Sequence, residues 1–395
     1  VFVINDKVWF SDSRDGAKPG NTYGIDLMTG ELKSKFPPDR DIYFFHHRCY
    51  RGKATEKYLI TSRVGIEYID VENEHWEMNH WVRGACLYGV LPANGLTYAP
   101  QHPCACYLES KLDGFNALAA ADGQPRIPDV LPPRLEKGPA YGTKIGAIAN
   151  SGEWPTFRHD NERSGTTSTE TPVDLKQSFA VEIGGKLSSP VVGSGLVIVA
   201  AIDRHSVHAI SAADGKPAWT FVADGRIDSP PTIHGQLVLF GSKDGYLYCL
   251  RTSDGQLVWR LRAAPVDERV LVYEQLESVW PLHGSVLIRE NTAYAACGRS
   301  NFLDGGVRML RVDVESGEIV SEHVFDAHQQ IDGKDHQDYV TWLNMPAART
   351  DILSTANDLI YMRSQAFDLE GKRRRIEMVL KAGDSVLVQV VKDAM

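Results

Sequence analysis

No stretch of this 395-residue chain is apolar over the roughly 18 residues that a membrane-spanning helix needs. An excess of basic charge is missing too. The chain has 42 Lys and Arg against 51 Asp and Glu, a net charge of −9, which argues against a nucleic-acid partner because phosphate binding needs a basic surface. Six cysteines are too few for a disulfide scaffold at this length. They permit bridges, ligands or buried thiols alike. The chain contains no Gly-x-Ser-x-Gly, no Gly-Lys-[Ser/Thr] phosphate loop and no His-Glu-x-x-His. Nucleophile-elbow hydrolase, NTPase and zincin chemistry therefore lack support. It opens at VFVINDKVWF with neither an initiator Met nor a signal peptide. That start reads as a mature or trimmed chain, whose targeting information is missing rather than negative.

What the chain does have is a repeat. Residues 188–222, SSPVVGSGLVIVAAIDRHSVHAISAADGKPAWTFV, are echoed by residues 228–261, DSPPTIHGQLVLFGSKDGYLYCLRTSDGQLVWRL. Ser189-Pro190 recurs as Ser229-Pro230, Asp214-Gly215 as Asp254-Gly255 and Trp219 as Trp259, each 40 positions on. A fixed period of this length marks stacked supersecondary units. Each unit divides into four short runs rich in β-branched and aromatic residues, with turn residues every 8–12 positions, and neither holds a convincing amphipathic helix. The runs predict antiparallel strands.

Looser copies extend both ways, at 7–36, 57–81, 95–127, 292–325 and 358–372, and DSVLVQVV at 384–391 could open another. Four strands to a unit at this spacing predict an all-β chain, a β-propeller of seven or eight blades with eight expected. The whole chain reads as one propeller: degenerate, Cys-rich blades over 1–127, a long excursion over 128–153, regular repeats over 154–325 and closing blades over 326–395. The excursion is rich in Pro, Gly and charge and has no strand period. A second irregular stretch, 328–349, joins it in flanking a possible binding face.

Polar chemistry concentrates in the first three blades. His46, His47, Arg48, Tyr50, His80, Arg83, Tyr88, Tyr98 and His102 all fall near predicted strand ends, which adjacent blades bring together around the axial mouth. Arg beside His and Tyr suits an acidic sugar, with Arg neutralising a carboxylate while His or Tyr handles the protons of a β-elimination. The plainer reading is that these residues make structural hydrogen bonds on blade edges. Cys104 and Cys106 stand two apart, so an extended strand projects both to one face. With Cys49 and Cys86, and His47 or His102, they could share a soft metal. Disulfides such as Cys49 with Cys86, or buried thiols, are the alternative. Cys249 and Cys297 read as core residues. Arg63, Arg299 and Arg363 follow the second strand of their units and could form a basic ring on the channel for an anionic ligand, with Trp280 beside it. Salt bridges to Asp203, Asp244 or Asp304 are the rival reading.

The units AISAADGKPAWTF and CLRTSDGQLVW resemble the tryptophan-docking repeat of the PQQ-like, or quinoprotein alcohol dehydrogenase-like, propeller superfamily. There an Ala-x-Asp-x-x-Thr-Gly-x-x-x-Trp pattern closes each blade. Ala209, Gly215 and Trp219 match it, and Gly255 and Trp259 match in the next unit. The resemblance implies that each Gly makes the turn and each Trp packs between blades. WPTFRHDNERSGTT, 154–167, is similar to the segment that precedes such propellers. The superfamily holds both quinone-dependent dehydrogenases and cofactor-free scaffolds of the outer-membrane assembly lipoprotein type. This chain lacks the adjacent Cys-Cys pair and the Cys-x-x-Cys-His of the dehydrogenases, so the expectation is no PQQ, with a metal left open. The leading expectation is a secreted or periplasmic propeller that binds an anionic small molecule, an acidic glycan or a protein partner at its axial face. A lyase acting on uronate-containing glycan is the first alternative, and a redox protein holding PQQ or a metal is the second.

Overall fold

A computed structural model describes residues 1–12, 20–39, 50–62, 65–79, 82–101, 114–120, 127–148, 152–272, 274–301, 303–326, 350–363 and 365–374. The described chain is all-β apart from one short 3₁₀ turn at Ile202–Arg204. Its strands form successive antiparallel sheets in chain order, the organisation of a β-propeller. Sheet 1 holds Phe2–Ile4, Lys7–Ser11, Thr22–Asp26 and Leu32–Phe36; sheet 2 holds Lys53–Ala54, Tyr58–Thr61, Ile66–Asp70 and His75–Asn79. Sheet 3 has three strands, Leu91–Ala93, Leu96–Ala99 and Asn116–Ala119. Sheet 4 comprises Val191–Gly193, Leu196–Ala201, Ser206–Ser211 and Pro217–Val222. Sheet 5 comprises Thr232–His234, Leu237–Gly241, Tyr246–Arg251 and Leu257–Arg262. Sheet 6 runs through Leu282–Arg289, Thr292–Cys297, Val307–Asp313 and Ile319–Phe325, and sheet 7 through Leu353–Ala356, Leu359–Met362, Gln365–Asp368 and Arg373–Arg374. The eighth unit expected at 384–391 lies outside the described residues.

The second strand of sheet 5, LVLFG at Leu237–Gly241, is apolar and buried throughout and shows why blades stack. Leu237 and Leu239 belong to the core shared with sheet 6, whereas Val238 and Phe240 belong to the core shared with sheet 4. Period-2 alternation thus sends neighbouring side chains to opposite neighbours, and a strand covered on both faces has no polar side. Further cores join sheets 6 and 7, sheets 1 and 2, and sheets 2 and 3. The first strands of sheets 4, 5, 6 and 7 approach one another in series, which puts them innermost.

Trp219 and Trp259 perform the docking that the repeat implies. The indole of Trp219 lies over Gly255 and donates Nε1–H to the Thr252 carbonyl of the next sheet at 2.7 Å. Trp259 does the same over Gly317, donating to Val314 O at 3.0 Å. Gly255 has φ +69°, and a Cβ there would stand 2.6 Å from the Trp219 ring. Backbone conformation and space both require glycine.

Two segments tie the sheets together. The 128–153 excursion, expected to lack a strand, returns to the propeller as a strap. Leu135–Lys137 adds a fifth strand to sheet 5, pairing with Leu257–Arg262. Three residues are too few to show a strand period in the sequence. Arg134 donates to the carbonyls of Arg262 and Ala263 at 2.7 Å each and to Glu322 of sheet 6 at 2.6 Å. Residues 154–163 cross the inner strands: Trp154 bridges Val192, Pro155 accepts from Ile233 N, Asn161 bonds Ile288 O and Thr355 N, and Arg163 donates to Leu353 O. One short segment therefore closes the inner backbone edges of four sheets.

Trp259→Ala should cost about 3–5 kcal/mol, as for other buried Trp truncations. Gly255→Ala should cost at least about 1 kcal/mol, because alanine is strained at this φ and meets the indole. Guanidinium unfolding of each variant checks both, and a midpoint unchanged in Gly255→Ala would refute the docking account.

Candidate functional site

Neighbouring strands run antiparallel, so the start of each first strand and the end of each second strand share one end of the propeller. The residues just past the second strands of sheets 4 to 7 are Asp203, Lys243, Arg299 and Arg363. Just before or at the first strands of sheets 5 to 7 stand Asp228, His283 and Asp351. Between sheets 5 and 6 an inserted hairpin, Arg269–Val272 with Gln275–Ser278, brings Glu277 to the same end.

These side chains form a chain of ion pairs. Arg226 lies 3.2 Å from Asp203 and 3.5 Å from Asp228. Lys243 Nζ sits 3.1 Å from both Asp228 Oδ2 and Glu277 Oε1, and Arg299 donates to Glu277 Oε2 at 2.8 Å. The Glu277 side chain is fully buried and that of Lys243 only 10% exposed, so each needs the other. Backbone bonds fix the frame: Lys243 N to Arg226 O, Ser278 N to Lys243 O and Leu282 N to Ser242 O. Burial alone would push the Asp228 carboxyl up. Its His283 bond, with Lys243 and Arg226 nearby, more than offsets that and holds it well below 3.8. Burial pushes His283 down from 6.5, and Asp228 does not restore it. Next to this network Asp244 accepts from Tyr248 Oη at 2.7 Å, and burial raises the pKa of both groups.

The expected basic ring takes a different form here. Arg299 is bound to Glu277 and the Ser278 carbonyl, and Arg363 pairs with Asp351 at 2.7 Å. Neither partner is among the aspartates suggested by the sequence; Asp203 instead faces Arg226. Asp351 precedes a first strand and Glu277 lies in the inserted hairpin, places where the repeat sets no pattern. Arg63 lies outside the described residues. Trp280, expected at a ligand, is fully buried and donates to Asp304 O at 2.7 Å. It serves the core.

The proposed catalytic cluster is only partly described: His46, His47, Arg48, His80 and His102 fall outside. Tyr50 is buried, donates to the carbonyls of Thr61 and Gly65 and has its pKa pushed up by burial, which leaves it a satisfied structural phenol. Arg83 is buried close enough to Tyr50 to act on it electrostatically. Tyr88 is exposed, and the Tyr98 ring packs against Phe115. Of the four proposed metal ligands Cys86 is described and half-buried, while Cys49, Cys104 and Cys106 lie outside. Among the described residues no three His, Cys, Asp or Glu side chains are arranged to hold a metal ion. Cys249 and Cys297 are buried thiols; burial raises the first well above its ordinary value and pushes the second up to about 12.

The sequence profile of the family described as outer membrane protein assembly factor BamB matches residues 158–367, just over half of the chain. The outer membrane protein assembly factor BamB of Yersinia pestis is 35% identical over 125 residues, 31% of this chain and 31% of that protein. The DNA damage-responsive serine/threonine-protein kinase RqkA of Deinococcus radiodurans is 28% identical over 159 residues, 35% of this chain and 24% of the kinase. The chain thus spans about a quarter to a third of the length of these curated relatives. Among solved structures, BamB from Moraxella catarrhalis aligns over 82% of this chain and 74% of its own, at 14% identity and a TM-score of 0.33.

Two outcomes test the ion network. Lys243→Met leaves buried Glu277 to Arg299 alone and should destabilise the fold by about 1–3 kcal/mol. His283 and Asp228 both have depressed pKa values, so the unfolded chain takes up protons first and their contribution is lost on acidification, from below 6.5 for His283 and below 3.8 for Asp228. Asp244, raised by burial, works in the opposite sense, and His208 and His234 in the same sense as His283. The guanidinium midpoint should fall as the pH drops below 6.5, and His283→Asn should reduce that slope.

Proposed function

The chain belongs to the family of the outer membrane protein assembly factor BamB, and from that premise we propose that it is a non-enzymatic propeller holding a protein partner at its charged end. The hairpin of 269–278 carries this reading. It exposes three apolar side chains, Val270, Leu271 and Leu276, at 39%, 69% and 62%. Its base is locked by Glu277 into the Lys243 and Arg299 pairs, and Gln275 reaches across to His205 of sheet 4 at 3.2 Å. An apolar tip on a rigid, charge-anchored base suits recognition of a polypeptide. A relative described as an assembly factor for outer membrane proteins points to the same class of partner. A secreted or periplasmic location goes with this reading.

The rival ligands find less support. Arg226, Lys243, Arg299 and Arg363 each stand on a carboxylate. That is a poor fit for an anionic small molecule, an acidic glycan or a quinone bearing carboxylates. Tyr50 already gives its proton to carbonyls, and the described members of the His/Arg/Tyr cluster offer no poised acid or base for a lyase.

A photo-reactive amino acid at Leu271 of the intact chain, expressed in its own host, is expected to capture a polypeptide. Leu276→Asp should reduce capture at least about tenfold, a loss of about 1.4 kcal/mol, whereas Val320→Asp on the exposed strand of sheet 6 should leave it unchanged. Capture that ignores Leu276→Asp overturns the surface. A bound quinone, or cleavage of an acidic polysaccharide by the purified chain, overturns the non-enzymatic reading.

A further inference from the structure

Among the described residues sheet 3 has three strands. Its third strand, Asn116–Ala119, pairs with Leu96–Ala99 on one side, and no fourth strand covers its other edge among the described residues. Phe115 and Leu91 on this sheet are 69% and 60% exposed, and no apolar core joins sheet 3 to sheet 4 among the described residues. The sequence that opens with this strand, NALAAADG at 116–123, matches HAISAADG, 208–215, of sheet 4. Continuing at the same spacing, the docking position occupied by Trp219 would fall on Ile127. Yet Ile127 packs against the core of sheets 5 and 6 and lies beside Gly305. The strap has carried it away.

A docking aromatic without a strand of its own stands elsewhere. Phe179 precedes Trp219 by 40 residues, as Trp219 precedes Trp259. It also precedes Ser189-Pro190 by ten, as Trp219 precedes Ser229-Pro230. The Phe179 ring lies 2.7 Å from where a Cβ on Gly215 would be, matching 2.6 Å for Trp219 on Gly255 and for Trp259 on Gly317. Phe179 is therefore the docking aromatic of the blade before sheet 4. Residues 177–182 around it belong to no strand, and most are exposed.

We infer that residues 177–182 are the missing fourth strand of sheet 3, separated from its third strand by an insertion that holds the strap and the axial segment. Carrying over the sheet 4 register, in which His208 faces Thr220 and Val207 faces Phe221, places Asn116 opposite Ala180 and Phe115 opposite Val181. The pairing satisfies the open backbone edge. It also covers Phe115 with Val181, itself 37% exposed. Sheets 1 to 3 are then joined to sheets 4 to 7 by the same docking contact that joins sheet 4 to sheet 5 and sheet 5 to sheet 6.

The test is a cysteine pair, Asn116→Cys with Ala180→Cys, in the full chain under mild oxidation. Peptide mass mapping of the monomer should find these two cysteines bonded within one chain in most molecules. Adding Phe179→Ala should cut that yield several-fold, and pairing Asn116→Cys instead with Thr171→Cys should give little. Absence of the bond overturns the inference. So does a bond formed only between chains, which would assign the edge to a second copy. Hydrogen exchange on the unsubstituted chain gives an independent reading, with alternate amides of 177–182 protected if the strand forms and all of them fast if it does not.

Discussion

The seating of one large aromatic ring on a glycine of the following sheet is the contact on which the propeller depends. It needs a turn with positive φ, a position without Cβ and a backbone carbonyl for the indole N–H, and Trp219 and Trp259 find all three. A propeller blade has little else to fix its angle to the next, because apolar faces alone slide. The hydrogen bond and the close approach turn a greasy interface into a defined one. Sheets 4 and 5 are thereby each held by the sheet that follows, and a defect at Gly255 or Gly317 reaches the tryptophan of the sheet before it.

At the charged end the same fold makes a second kind of joint. Lys243 of sheet 5, Glu277 of the inserted hairpin and Arg299 of sheet 6 share charge across three elements. Buried pairs of this kind contribute little net stability compared with an apolar substitute, but they penalise every arrangement that leaves one partner alone. Their effect is to fix where the hairpin stands. The apolar tip above them is consequently presented in one orientation.

Sheets 4 and 5 were legible in the sequence because their apolar runs, Asp-Gly turns and docking aromatics all survive in register, 40 residues apart. Sheet 6 remained readable through Ser316-Gly317 despite its insertion. The carboxylates that neutralise the arginines were not legible, since Asp228, Glu277 and Asp351 lie in connections where the repeat imposes no pattern. Trp280 looked like a ligand platform because an aromatic near a turn carries no mark of its burial. The strand Leu135–Lys137 was hidden for a different reason. Its partner lies some 124 residues away, as in the Glu136 to Arg260 pair, and a three-residue strand read alone has no period.

The strap makes the order of synthesis matter. Arg134 leaves the ribosome 188 residues before Glu322, the carboxylate it binds. At translation rates of about 5–20 residues per second, the strap waits roughly 10–40 s for its seat. During that interval Ile127 and Leu135 have no finished blades to cover them, and three sheets already made cannot yet close a ring. A nascent chain in this state presents apolar side chains and an unpaired sheet edge together, the combination that holdase chaperones intercept. The sheet that carries Glu322 thus completes the seat of the strap last, and slow codons placed just before it would lengthen the time the strap spends uncovered.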